Sequence, residues 1–181
     1  MATFSSVSSN GRYRLELVIT EQSQSIENNT TTLAWIYRLV SIATYGEYFS
    51  HTTDWSAIIN GVTVTSGRKQ TSLSRFTTLT LASGTTTVAH NADGTKSISV
   101  SGSLSYPNSS ESYMPGTMSV SGSMALTTIP RATTPTVNKS SLDLGTPVTI
   151  STPRAASGFT HRLKYAFEGG SGTIASGVGT S

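Results

Sequence analysis

Between Met1 and Leu126, apolar and polar residues alternate with the two-residue period of strands that bury one face. Tyr13, Leu15, Leu17 and Ile19 stand among Arg14, Glu16 and Val18, which predicts a first long strand. A polar stretch from Glu21 to Thr32 follows, and then Leu33, Trp35, Tyr37 and Leu39 mark a second strand. Here Ala34, Ile36 and Val40 make the other face partly apolar too, so this strand is expected at the centre, covered on both sides. The cleanest alternation sets Ile98, Val100, Gly102, Leu104 and Tyr106 against four serines. Ile98-Ser99-Val100-Ser101-Gly102-Ser103-Leu104 is echoed by Met118-Ser119-Val120-Ser121-Gly122-Ser123-Met124. Two similar strands are therefore expected, either in one sheet or facing each other across a sandwich.

Turn residues punctuate the pattern. Asn60-Gly61 stands between Trp55, Ala57, Ile59 and the returning Val62 and Val64, a strong short-range hairpin signal. Within His90-Asn91-Ala92-Asp93-Gly94-Thr95-Lys96 the chain reverses at Asp93-Gly94, where Gly94 takes a positive φ without a Cβ clash. Ser83-Gly84 reads as a further turn and the polar, basic Ser66 to Ser74 as a loop, with Phe76, Leu79 and Leu81 resuming the alternation. Thr44 to Phe49 reads as a connection, and Pro107 to Gly116 interrupts any strand. The fold class is all-β: a jelly-roll-like antiparallel β-sandwich over residues 1–130. Pro130 and Pro135 make residues 131–135 a stiff, extended linker. Residues 136–181 are again β-like and amount to about half an immunoglobulin-like sandwich, which takes roughly 100 residues and seven strands. That module is expected to be completed by further chain or by a partner.

Composition sharpens this. Only 12% of residues are charged, against about 25% in typical domains, and Ser and Thr fill the gap. A net charge of +3, spread along the chain, does not form the clustered basic face that nucleic acid requires. There are no cysteines, so disulfides and thiolate metal sites are excluded. No run of about 18 apolar residues occurs, and Met1 to Ser5 lacks the marks of a signal peptide, so no membrane insertion or secretion is expected. Strand faces of Ser and Thr lack the charges that discourage subunit contact, which predicts a homo-oligomer, with a trimer as the expected state.

The common serine-hydrolase, nucleotide-binding and zinc-protease motifs are missing, so neither catalysis nor a cofactor or metal is expected. His51 with Asp54 is the one base-and-orienter pair that invites a catalytic reading. His90, Asp93 and Gly94 read as a turn whose histidine bonds the turn or a neighbouring strand, with ligand contact as the competing role. Aromatic residues concentrate between Trp35 and Trp55. Trp35 reads as core, while Tyr45, Tyr48 and Trp55 are candidates for a glycan-facing surface, because rings stack on the apolar faces of sugars.

One resemblance joins these residues. Ala2-Thr3-Phe4 with Tyr13-Arg14-Leu15, the Asn28-Asn29-Thr30 approach to Trp35, Trp55 to Asn60-Gly61, Leu79 to Gly84, and above all His90 to Lys96 resemble the N-terminal region of siphovirus tail-tip proteins. These are minor structural or tail-fibre proteins of phages that infect Gram-positive bacteria. Thr133 through Val148-Thr149-Ile150 to Thr180 is similar to the immunoglobulin-like module that follows in longer members. The resemblance implies a virion protein of the tail tip or baseplate. Its partners would be other phage tail proteins, and it would take part in host attachment, with cell-wall polysaccharide as a candidate receptor. The residues alone also fit a bacterial surface adhesin or carbohydrate-binding module.

Overall fold

Among the residues described by the computed structural model (1–42, 48–107, 113–131, 136–138, 149–151, 161–167 and 169–178), the alternating segments are strands. The chain divides into two units, Met1–Ile129 and Pro130–Ser181. In the first, β1 (Ala2–Val7), β2 (Tyr13–Ser25), β3 (Thr30–Ser41) and β6 (Thr78–Ala89) form one sheet in the order β1-β2-β3-β6. The other sheet runs β5-β4-β7-β8, from β4 (Tyr48–Ile59), β5 (Val62–Ser74), β7 (Ser97–Ser105) and β8 (Met118–Ala125). Every neighbouring pair is antiparallel. This is an all-β antiparallel sandwich.

Its core is the inward row of each strand. Leu15, Leu17 and Ile19 on β2 meet Leu33, Tyr37 and Leu39 on β3, and Ala57, Ile59, Ile98 and Leu104 close from the other sheet, all at 0–1% exposure. Each large aliphatic side chain buried this completely contributes about 1.5–3 kcal/mol. Phe49 ties one end of the core together, meeting Tyr13 at 5.5 Å and Tyr106 at 5.2 Å between ring centroids, both edge-on. Burial pushes the Tyr37 and Tyr106 phenols above the ordinary tyrosine range.

Three local expectations change. β3 is interior to its sheet, but its second face is only partly covered, with Ile36 38% exposed and Ala34, Arg38 and Val40 half-buried. Ser66 to Ser74 belongs to β5; it is polar because β5 is an edge strand, exposed along most of its length. Ser83-Gly84 lies inside β6 and makes no turn. Gly84 is the cross-strand partner of Trp35, and a Cβ there would fall 2.9 Å from Cζ2 of the indole. This glycine gives room to a ring instead of reversing the chain, and Gly67 does the same for Trp55 across β4 and β5.

The sequence echo resolves into neighbouring antiparallel strands, with Ile98 opposite Met124 and Leu104 opposite Met118. Its shared glycine has a packing cause. Tyr37 of the opposite sheet occupies the space a Cβ on Gly102 would need, and Phe4 occupies that of Gly122. Each strand of the echo thus receives an aromatic ring from across the sandwich.

In the second unit β9 (Thr136–Val137) pairs antiparallel with β10 (Ile150–Ser151), and β11 (His161–Phe167) with β12 (Gly170–Val178). Residues 132–135 of the expected linker lie outside the described residues, as do 139–148 and 152–160 of the expected immunoglobulin-like module.

Candidate functional site

Of the aromatic residues proposed to face a glycan, Tyr45 lies outside the described residues, and Tyr48 opens β4 with only its backbone described. Trp55 stands on the inward row of β4 with Thr53, Ala57 and Ile59, half-buried, its ring over Gly67 and against the core. The outward row carries Asp54, Ser56 and Ile58. His51 shares the row of Thr53, whereas Asp54 points the other way and pairs with Arg68 at 3.4 Å. Residues three apart on a strand face opposite sides, so His51 and Asp54 do not form a base-and-orienter pair.

The sandwich has two ends, and they are built differently. At one, His90 is buried and uses both ring nitrogens. Nδ1 lies 2.7 Å from the Gly94 carbonyl oxygen and Nε2 lies 2.7 Å from Thr31 Oγ1 on β3. A carbonyl only accepts, so Nδ1–H donates to it, and in the neutral ring Nε2 then accepts the Thr31 hydroxyl proton. The turn closes with Gly94 N–H donating to Asn91 O at 2.9 Å, and Gly94 takes φ +81°. Asp93 Oδ1 accepts from Thr95 Oγ1 at 2.7 Å and Thr95 N at 2.9 Å, and these bonds hold its carboxyl below the usual carboxylate range. Asn29, in the β2–β3 turn at φ +54°, donates its amide to His90 O at 3.2 Å and Asn91 O at 2.8 Å.

The chain leaves the first unit through this same end. Leu126 N–H donates to Lys96 O and Ile129 N–H to Gly94 O, each at 2.9 Å, and Ile129 is 0% exposed. Between them the Glu21 carboxylate accepts Thr127 N–H at 3.1 Å, and Gln24 donates to Thr127 O at 2.7 Å. One carbonyl, that of Gly94, therefore accepts from both the buried histidine and the departing chain. We call this end the clasp.

The other end lies the length of β3 away, 12 residues or roughly 35 Å at the rise of a strand. Here Ser74-Arg75-Phe76-Thr77 turns β5 into β6. Thr77 N–H donates to Ser74 O at 3.2 Å, Thr77 Oγ1–H donates to the same oxygen at 2.5 Å, and Ser41 N–H ties Thr77 O to β3 at 2.9 Å. Phe76 sits third in this turn at φ +55°, a conformation that glycine or asparagine adopts with ease and a bulky aromatic residue rarely does. Its side chain is 62% exposed, and the Arg75 guanidinium carbon lies 4.4 Å from its ring centroid. Among the described residues no carboxylate lies within ion-pair distance of Arg75, whereas Arg14 and Arg38 bind Glu16 at 2.6 and 2.7 Å. Sequence reasoning assigned Phe76 to the alternation. Its parity was the signal against that, because an even position cannot share a strand face with Leu79 and Leu81.

Two further features lie on the outer faces of the sheets. Glu16, 4% exposed, is the deepest carboxylate described. Burial alone would raise its carboxyl, but hydrogen bonds and charge from Arg38 and Arg14 outweigh that and hold it below the usual range. On the second sheet Ser56, Ser101, Ser103, Ser119 and Ser121 line a shallow uncharged depression of about 270 Å³, with Ser56 Oγ 2.9 Å from Ser103 Oγ.

The family model described as "Siphovirus protein of unknown function (DUF859)" matches residues 1–181. The chain belongs to this siphovirus family. A search of the curated proteins and of the solved structures finds no match. The siphovirus protein is all-β, with its clasp and its exposed turn at opposite ends of the sandwich formed by Met1–Ile129.

Proposed function

We propose that this chain is a structural component of the phage tail tip or tail fibre that takes part in attachment to the host surface, with cell-wall glycan as the receptor. The observation that carries this is the polarity of a siphovirus sandwich. Its outgoing chain is tied down at one end by the Gly94 carbonyl and Glu21, while an exposed aromatic turn stands at the other. A fixed exit at one end and an exposed aromatic turn at the other suit a module that holds a contact surface away from a support. In this reading other tail proteins are its neighbours. The uncharged, serine-lined depression on the second sheet supports packing between copies, for which a homotrimer is the working arrangement.

The test has two parts. Antibody against Met1–Ile129 with a gold label should decorate the tail tips of intact virions, and label on capsids, or none, would contradict the location. The purified chain should bind Gram-positive cell walls and lose that binding when wall polysaccharide is stripped. No binding by a folded sample to any wall would leave an anchoring role without recognition.

A further inference from the structure

We propose that the Arg75–Phe76 turn is a binding site for an anionic saccharide polymer, an inference that rests on the attachment reading and assigns it to a place. Three observations converge. Phe76 is an exposed large apolar residue, in a conformation its side chain disfavours. The turn is tied down nonetheless, by three hydrogen bonds between Ser74 and Thr77 and by Ser41 N–H on Thr77 O, so the residue is presented and not merely loose. Arg75 is held over the ring with no carboxylate partner among the described residues. Strain kept at an exposed position, where the side chain adds nothing to the core, points to a task outside the fold.

The chemistry of the pair selects the ligand. A guanidinium donates two parallel N–H bonds to the oxygens of a phosphate or a carboxylate, and stacking on the ring pre-orients that fork. The remaining exposed ring surface suits the C–H face of a sugar. A protein partner fits less well, since stable protein interfaces bury about 800 Å² on each side, far more than two side chains at a turn supply. A repeating polymer needs only a small site, because copies of the chain engage successive repeats together. The charge can be phosphate or uronate, and the turn recognises what the two share.

The test uses the full 181-residue chain, biotinylated and displayed on tetravalent streptavidin. The probes are an immobilised glycerol-phosphate-substituted polysaccharide, polygalacturonate, neutral dextran and poly-glutamate. Wild type should bind one or both anionic saccharides and neither dextran nor poly-glutamate; which of the two it binds names the source of the charge. Arg75→Gln and Phe76→Gly should each weaken binding by about tenfold or more, while Arg75→Lys, which keeps charge but not the fork, should fall between. Phe76→Gly should melt at the same temperature or a few degrees higher, which separates lost contact from lost fold. If wild type binds anionic saccharide and both variants bind equally well, the turn is not the site and the attachment reading survives. If wild type binds neither anionic saccharide, the turn assignment falls, and the attachment reading is then decided by the cell-wall binding test alone. Equal binding to poly-glutamate would make the turn a contact for acidic protein and overturn the assignment.

Discussion

Asn29 and Phe76 share a left-handed backbone, at φ +54° and +55°, yet at the two ends of the sandwich this conformation serves opposite purposes. At the clasp, the position is filled by a residue that tolerates it, and the side chain is used: the Asn29 amide satisfies two carbonyls of the His90 turn. At the tip it is filled by one that tolerates it poorly, and the side chain points into solvent beside an arginine. The clasp residue explains itself through hydrogen bonds inside the molecule. The tip residue does not, and so local energetics can tell a residue kept for the fold from one kept for a partner.

The comparison breaks most visibly at His90. His90→Ala would remove a buried ring and leave the Thr31 hydroxyl and the Gly94 carbonyl short of a partner, so stability should fall by about 3 kcal/mol in urea denaturation. Amide exchange at Ile129 should accelerate with it, because its acceptor, Gly94 O, loses the histidine that fixes it.

Glu16 provides a control belonging to neither end. Glu16→Gln should cost about 2 kcal/mol at neutral pH, because two arginines lose a buried partner. The sign with pH follows from the lowered carboxyl. Its contribution is present above the unfolded-state pKa, about 4.3, and is lost as pH falls through the lower folded value. Wild type and variant should therefore converge in strongly acidic buffer, measured as urea midpoints across a pH series. A gap that persists there would mean that shape, not charge, makes the Glu16 contribution.

Much of this was legible in the sequence, for reasons that vary by residue. Strand alternation, the Asn60-Gly61 hairpin and the Asp93-Gly94 turn depend on neighbouring residues only. The structure has Asn60 and Gly61 both at positive φ, +52° and +79°. Gly84 was misread because a glycine that opens a turn and one that makes room for an indole look alike until the cross-strand partner is known. A single strand does not say which row faces in, so the inward, half-buried position of Trp55 became visible only in the structure. That His90 meets Thr31, 59 residues away, was out of reach, although the motif itself stood out. Phe76 was within reach through parity alone. Its pairing with Arg75 was visible only as adjacency, without the exposure and the backbone conformation that give it meaning.

The smallest effects test the central contrast most directly. Asn29→Gly and Phe76→Gly place the same residue at the same backbone conformation at opposite ends, so their unfolding free energies in one buffer isolate what each side chain does. Asn29→Gly should lower stability by about 1–2 kcal/mol, because two backbone carbonyls lose a donor. Phe76→Gly should raise it by about 1 kcal/mol, the relieved strain exceeding the added freedom of the unfolded chain. Opposite signs are the predicted result. A loss of stability at Phe76 comparable to that at Asn29 would show that Phe76 holds the fold together and would contradict its assignment as a residue kept for a partner.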